Sequence, residues 1–232
     1  MSKLVLTLCG GKYDRFQDLV HPRLVAYSRR CHAEFADMRE LGDKRHPLLA
    51  KLDIYHYLGE YDRIVYVDAD AIVRADCPDL FALVPEDHIG AYDEAAWFTE
   101  TGDISSRIAA TVRTAQITGS SPPDWPFSKD LFRFWNTGVL VVSKRHREYF
   151  RHLVTEPDLT GVPGADQNLF NLRLSHRPSM MYALPACFNQ MPHNRVRHYY
   201  ESSYILHYAG LPLDLKVIEM QRDSDRWAKL GR

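Results

Sequence analysis

The chain has 232 residues, of which 45% are hydrophobic and 25% charged, and a formal net charge of −1 at pH 7. That length suits one large domain or two small ones, and the near-neutral charge removes any general electrostatic case for binding nucleic acid or an anionic membrane. Four scattered cysteines, Cys9, Cys31, Cys77 and Cys187, form no CxxC pair, so they read as buried free thiols in a reducing compartment rather than as zinc ligands or a redox dithiol.

In chain order, the first element is an apolar, β-rich run from Lys3 to Cys9 that stops at Gly10-Gly11. It is too short for a signal-peptide core and reads as a central strand. No stretch reaches the roughly 20 apolar residues of a transmembrane helix, and a cytoplasmic location is the expectation. Pro22 opens a helix over 22–32 with Leu24, Tyr27 and Cys31 at helical spacing. Ala33 to Met38 is a second strand. His46 to Leu58 is helical, with Leu48, Leu52, Tyr55 and Leu58 as its apolar stripe and Gly59 as its end. The strand Ile64 to Val67 follows, so strand, helix and strand alternate as in a parallel, helix-covered sheet. Next come a helical turn at "DLFALV", a strand from His88 to Tyr92, a helix from Ser105 to Ile117, and a Pro- and Ser-rich loop, "TGSSPPDWPFSKD". "TGVLVVS" from Thr137 is a buried strand, "KRHREYFRHLV" an amphipathic helix, and "GVPGADQNLFNLRLS" a loop entering a helix near Asp166. The last third, through "YILHYAG" to "DRWAKLGR", reads as smaller elements closing over a site. No repeat, low-complexity tract or linker divides the chain.

The stretch "YDRIVYVDADAIV" carries the first chemical signal. Side chains at i and i+2 of a strand point to one side, so Asp68 and Asp70 project together, repel each other, and would be relieved by a divalent cation. The bland alternative is a strand end with two solvated acids. Position favours function, because open α/β sheets bind ligands beyond the carboxyl ends of their strands.

Four motifs in order, "LLAKLDIYHYLGEYDRIVYVDADAIV", "WNTGVLVVS", "GADQNLFN" and "HYAG", resemble glycosyltransferase family 8, the group of glycogenin and the lipopolysaccharide galactosyltransferases. The likeness runs over roughly residues 3–210. It implies an α/β GT-A fold, with a mixed, mostly parallel central sheet in a single domain over 1–232. Its donor-binding half would be about 1–92 and its acceptor half about 93–232. It also implies a nucleotide-sugar donor, usually a UDP-sugar, with Mn²⁺ (or Mg²⁺), and transfer that retains anomeric configuration. By the resemblance, Asp68, Asp70 and His207 hold the metal. Asp68 and Ala69 lie near the donor, and Lys51 reaches its phosphates. Tyr13 stacks on the base beside the backbone of Thr7 and Leu8. Asn136, Asp166 and Gly210 line the donor site, and Gln167 lies near the anomeric carbon as the group that stabilises the cation-like state.

The residues also carry plainer readings. Lys51 could be a snorkelling lysine, Asn136 part of a turn, Asp166 an N-cap, Tyr13 a surface tyrosine and His207 a packed histidine. Asp93 is a further candidate for the sugar or acceptor, and Asn189 for the pocket wall. Lys216 stands two positions later than the family's lysine, with no Trp after it, which puts its phosphate contact in doubt. Nothing in "RVRHYYESSY" identifies a tyrosine acceptor for self-glycosylation. The chain ends soon after His207 without a basic, aromatic tail, which favours a soluble acceptor or a partner protein that brings one. Two rival readings stand beside the transferase. One is a haloacid-dehalogenase-type phosphatase, whose DxDx[TV] pattern meets Ile72 here; the other is a non-catalytic sugar-nucleotide sensor on the same fold.

Overall fold

A computed structural model describes residues 1–38, 47–121, 132–153, 157–159, 161–175, 177–194 and 199–231. The strands are β1 (Lys3–Thr7), β2 (Glu34–Asp37), β3 (Arg63–Val67), β4 (Ala71–Val73), β5 (Ile89–Asp93), β6 (Trp135–Ser143), β7 (Met181–Ala183) and β8 (Ile205–His207). The helices are α1 (Gln17–Arg30), α2 (Ile54–Glu60), α3 (Leu80–Leu83), α4 (Ala95–Thr101), α5 (Ile104–Thr118), α6 (Ala165–Leu174), α7 (Tyr199–Ser202) and α8 (Leu213–Lys229). Tight 3₁₀ turns precede α1 (Gly11–Phe16) and α2 (Pro47–Asp53) and follow β6 (Lys144–Phe150).

Six strands form one mixed sheet in the order β2-β1-β3-β6-β5-β7, and β4 pairs with β8 in a small second sheet. β1 runs parallel to β2 and β3, and β5 parallel to β7, while β6 is antiparallel to both its neighbours. Every residue of β3 and β6 is buried, which explains their near-continuous apolar sequence. Strand alternation then sorts the core onto two faces. Val5, Val65, Val67, Val139 and Val141 pack with Leu24 and Tyr27 of α1 and Met220 and Trp227 of α8. Leu4, Leu6, Ile64, Tyr66, Leu140 and Val142 pack with Ile54 and Leu58 of α2 and Phe170 and Leu174 of α6.

Several expectations shift. Pro22 lies inside α1, which begins at Gln17, rather than in its first turn. The helix expected from His46 is a 3₁₀ turn followed by α2, and residue 46 and the side chain of Leu48 lie outside the described residues. The helix expected over "KRHREYFRHLV" is a 3₁₀ turn, at whose start the Ser143 N–H donates to His146 Nδ1 (3.0 Å). The C-terminal segment expected as smaller elements includes the longest described helix, α8, whose buried Lys216, Met220, Asp223 and Trp227 recur at helical spacing. Most of the Pro- and Ser-rich loop and the start of "RVRHYYESSY" fall outside the described residues. None of the described helices is long and apolar enough to cross a membrane.

Candidate active site

The two acids meet for a different reason from the one the strand pattern suggests. β3 ends at Val67, and Asp68 to Asp70 turn the chain into β4 and the second sheet. The turn is closed by the Ala71 N–H on the Asp68 carbonyl (3.1 Å), and the Asp68 N–H donates to Gly138 O across the sheet (2.8 Å). β8 pairs with β4 in a register that sets His207 opposite Ala71. His207 Nε2 thereby lies 3.3 Å from Asp70 Oδ1 and 3.7 Å from Asp68 Oδ2.

A chain of amides fixes which nitrogen of His207 is available. The Gly138 N–H can only donate, so the Asn136 atom 2.8 Å away is Oδ1. That oxygen also accepts from Asn189 Nδ2 (2.8 Å), which turns Asn189 Oδ1 toward His207 Nδ1, again at 2.8 Å. Nδ1 therefore carries the proton, and the Nε2 lone pair faces the two carboxylates when the ring is neutral. This is the arrangement by which a hydrogen-bonded neighbour orients a metal-binding imidazole. One ligand atom from each of Asp68, Asp70 and His207 lies within 4.8 Å of the others. Two carboxylates and one oriented imidazole nitrogen are a donor set that fits a divalent cation such as Mn²⁺.

Two buried lysines face the same place. Lys51 Nζ lies 3.0 Å from Asp68 Oδ1, 2.9 Å from Asp166 Oδ2 and 3.1 Å from Thr137 O. Its helical segment delivers it beneath the sheet, over the ring of Tyr66. Burial opposes its charge, but Asp166 and Asp68 outweigh that and raise its pKa above the ordinary lysine value. It is an internal ion-pair centre, not a snorkelling lysine. Lys216, at the start of α8, pairs with Asp70 Oδ2. Burial would raise the pKa of Asp70, yet His207 and Lys216 hold it below the carboxylate range. Asp166 is likewise held low, against burial, by Lys51 and its hydrogen bonds. It sits in the first turn of α6, whose N-cap is Gly164, so Asp166 is not the cap. For His207, burial disfavours protonation, while Asp70 and Asp68 favour it and leave the pKa raised.

These groups line a cleft of about 510 Å³ beyond the carboxyl ends of β1 and β3. Of the residues expected from sequence, Leu8, Tyr13, Lys51, Asp68, Ala69, Asp70, Asn136, Asp166, Gln167, His207 and Gly210 lie on its wall, joined by Lys216. Thr7 does not; it ends β1, and its carbonyl accepts the Met38 N–H (2.8 Å). Asn189 stands behind His207 rather than on the wall. Asp93 is turned away as well. Its Oδ1 accepts the N–H groups of Ala95 and Phe134, and Arg133 lies 3.4 Å from Oδ2.

Its neighbour Glu94, which sequence reading missed, is not on the wall either but holds Gln167, which is. Glu94 is 5% exposed and accepts Gln167 Nε2 at 2.5 Å. Burial raises its pKa. Nothing in "AYDEAAW" distinguishes the two acids, because only the fold decides which one turns inward.

The sequence matches the family described as glycosyl transferase family 8 over residues 41–212, most of the chain. The chain belongs to glycosyltransferase family 8. No curated protein sequence matches it significantly. Among solved structures, it is similar to a glycosyltransferase involved in glycosylation of the major capsid of PBCV-1, with 14% identity and a TM-score of 0.61 over 96% of this chain and 100% of that one. It is also similar to the galactosyltransferase LgtC in complex with donor and acceptor sugar analogues, with 14% identity and a TM-score of 0.59 over 97% and 95%. The glycosyltransferase GlyE of Streptococcus pneumoniae TIGR4 aligns at 14% identity and a TM-score of 0.54 over 100% and 64%. The fold is the GT-A fold of these enzymes.

Proposed function

We propose that this glycosyltransferase moves a hexose from a UDP-sugar to an acceptor hydroxyl with retention of configuration, using a divalent cation, Mn²⁺ or Mg²⁺, held by Asp68, Asp70 and His207. The observation that carries this reading is the amide chain from Gly138 through Asn136 and Asn189, which aims the His207 lone pair at two carboxylates in the cleft. When bound, such a cation neutralises charge that develops on the diphosphate as the glycosidic bond breaks.

The chain's own residues supply the rest. Three carboxylates (Asp68, Asp70, Asp166) oppose two ammonium groups (Lys51, Lys216), which leaves one net negative charge with His207 neutral. A dication turns that balance positive and suits the cleft to an anionic donor. Lys51 and Lys216 are fixed cations for the leaving diphosphate, and Asp166 binds hydroxyls of the donor sugar. Tyr13, with Leu8, accommodates the base. Gln167 stabilises the cation-like sugar while the acceptor attacks from the face the diphosphate leaves. Its amide nitrogen is committed to Glu94, so its oxygen is the atom left to meet positive charge.

The test is thermal stability against a panel of nucleotides and nucleotide sugars, with and without Mn²⁺. A shift with UDP or one UDP-sugar that requires Mn²⁺ supports the reading, since a ligand bound only to the folded state raises its stability. Absence of any nucleotide-dependent shift overturns it.

A further inference from the structure

A second group of potential metal ligands stands apart from the cleft. Asp53 ends the 3₁₀ turn before α2, and His56 follows three residues later, so both project from one side of the same helical segment. His152 comes from the chain just beyond the 3₁₀ turn Lys144–Phe150. One ligand atom from each lies within 4.8 Å of the others, and none of the three lines the cleft. His152 Nε2 is 3.0 Å from Asp53 Oδ1, and the two imidazole rings are 5.1 Å apart between centroids.

Asp53 is only 2% exposed, although it stands at the N-cap position of α2, and its side chain does not cap that helix. His152 already stands against this carboxylate, and a single divalent ion placed among the three ligand atoms would serve the acid and both rings. Two imidazole nitrogens and a carboxylate oxygen are a zinc-type set, with a fourth position for water. The exposed side at His56 admits that water. A third group, Cys9, His21 and Asp37, gathers as closely. There, however, Asp37 Oδ1 accepts the Cys9 N–H (2.8 Å) and Cys9 is 1% exposed.

We propose that Asp53, His56 and His152 form a transition-metal site, for Zn²⁺ or an ion of like preference, independent of the Asp68–Asp70–His207 group. The site ties the segment after β6 to the helical segment of α2. Lys51 lies two residues before Asp53 in the same turn, so a metal there braces the residue that joins Asp68 to Asp166 from behind.

The experiment uses the chelator-dialysed 232-residue chain with ZnCl₂ as the probe and metal content per chain as the readout. The variant H207A, which disables the cleft group, is expected to bind one equivalent. Its melting temperature should rise by about 5–10 °C at a hundredfold excess over Kd. H207A/H56A should bind none, and H207A/C9S should still bind one. Because His56 is exposed, H56A keeps the fold, which circular dichroism verifies. If H207A does not fold, the wild type and H56A give the same comparison, two equivalents against one. CoCl₂ in H207A should give tetrahedral ligand-field bands without thiolate charge transfer. Zinc retained at one equivalent in H207A/H56A, lost in H207A/C9S, or never bound by H207A overturns the proposal.

Discussion

Replacing Gly138 by alanine tests the site through sterics alone. An added Cβ would stand 2.1 Å from His207 Cε1, 2.5 Å from Nδ1 and 2.9 Å from Nε2. Ordinary carbon contacts begin near 3.5 Å, so the ring must recede by about 1.4 Å. It cannot do so and keep both its 2.8 Å contact to Asn189 and its 3.3 Å contact to Asp70. The backbone is no obstacle, because Gly138 is not among the residues at positive φ. Overpacking of this kind costs about 1–3 kcal/mol, less than the 5–15 kcal/mol of a typical domain. The variant should therefore fold but lose about 10–100-fold in Mn²⁺ affinity, measured by Mn²⁺ titration alongside circular dichroism. Gly59→Ala is the matched control, since its Cβ meets only the end of Arg147, at 3.4 Å, and lies in helix α2. It should leave metal binding unchanged. Wild-type Mn²⁺ affinity in folded Gly138→Ala would refute the placement of His207 in the metal group.

Four further outcomes are expected. Asp70→Asn should reduce Mn²⁺-dependent turnover by about 100-fold or more with the fold retained; full activity would remove Asp70 from the ligand set. Gln167→Ala should lower kcat much more than it raises the donor Kd, because its role lies in the transition state, and equal losses in a kinetic and a binding assay would make it a binding residue. Mn²⁺ affinity should rise with pH through neutrality, since the metal and a proton compete for His207, whose pKa Asp70 and Asp68 raise against burial; a flat titration between pH 6 and 8 (roughly the range His spans) would contradict this. Stability should fall on acidification through His146, which burial depresses to about 4 and whose Nδ1 accepts the Ser143 N–H at 3.0 Å. The neutral form is the folded one, so the contribution is complete above the unfolded pKa of roughly 6.5 and is lost toward pH 4. That loss is about 3 kcal/mol, read as a smaller pH dependence of urea midpoints in His146→Gln than in wild type; equal dependence would refute it.

The buried strands were legible because continuous apolar runs such as those of β3 and β6 have no other explanation in a chain of this composition. The pairing of β4 with β8 was not, because three-residue strands carry no periodicity and their partners lie far apart in sequence. That pairing is what brings His207 to Asp70, so the family motif located the histidine without explaining its position. The placement of Lys216, which the sequence named but left in doubt, and the part played by Glu94, which it missed, were hidden for related reasons. The first depends on how α8 docks, and its buried period of Lys216, Met220, Asp223 and Trp227 was a usable signal behind a polar composition. The second differs from Asp93 only in the direction that the chain leaves β5. Asn189 was expected on the pocket wall, and its actual place in the amide chain behind His207 required the structure.

The account stands most directly on one measurement: UDP released from each of a set of UDP-sugars, with Mn²⁺ and again after chelation by EDTA, in wild type and H207A. It predicts that at least one UDP-sugar is consumed by the wild type with Mn²⁺, that EDTA stops the reaction, and that H207A is slow under both conditions. Release that continues undiminished in EDTA or in H207A, or no release from any UDP-sugar with Mn²⁺ present, would contradict it.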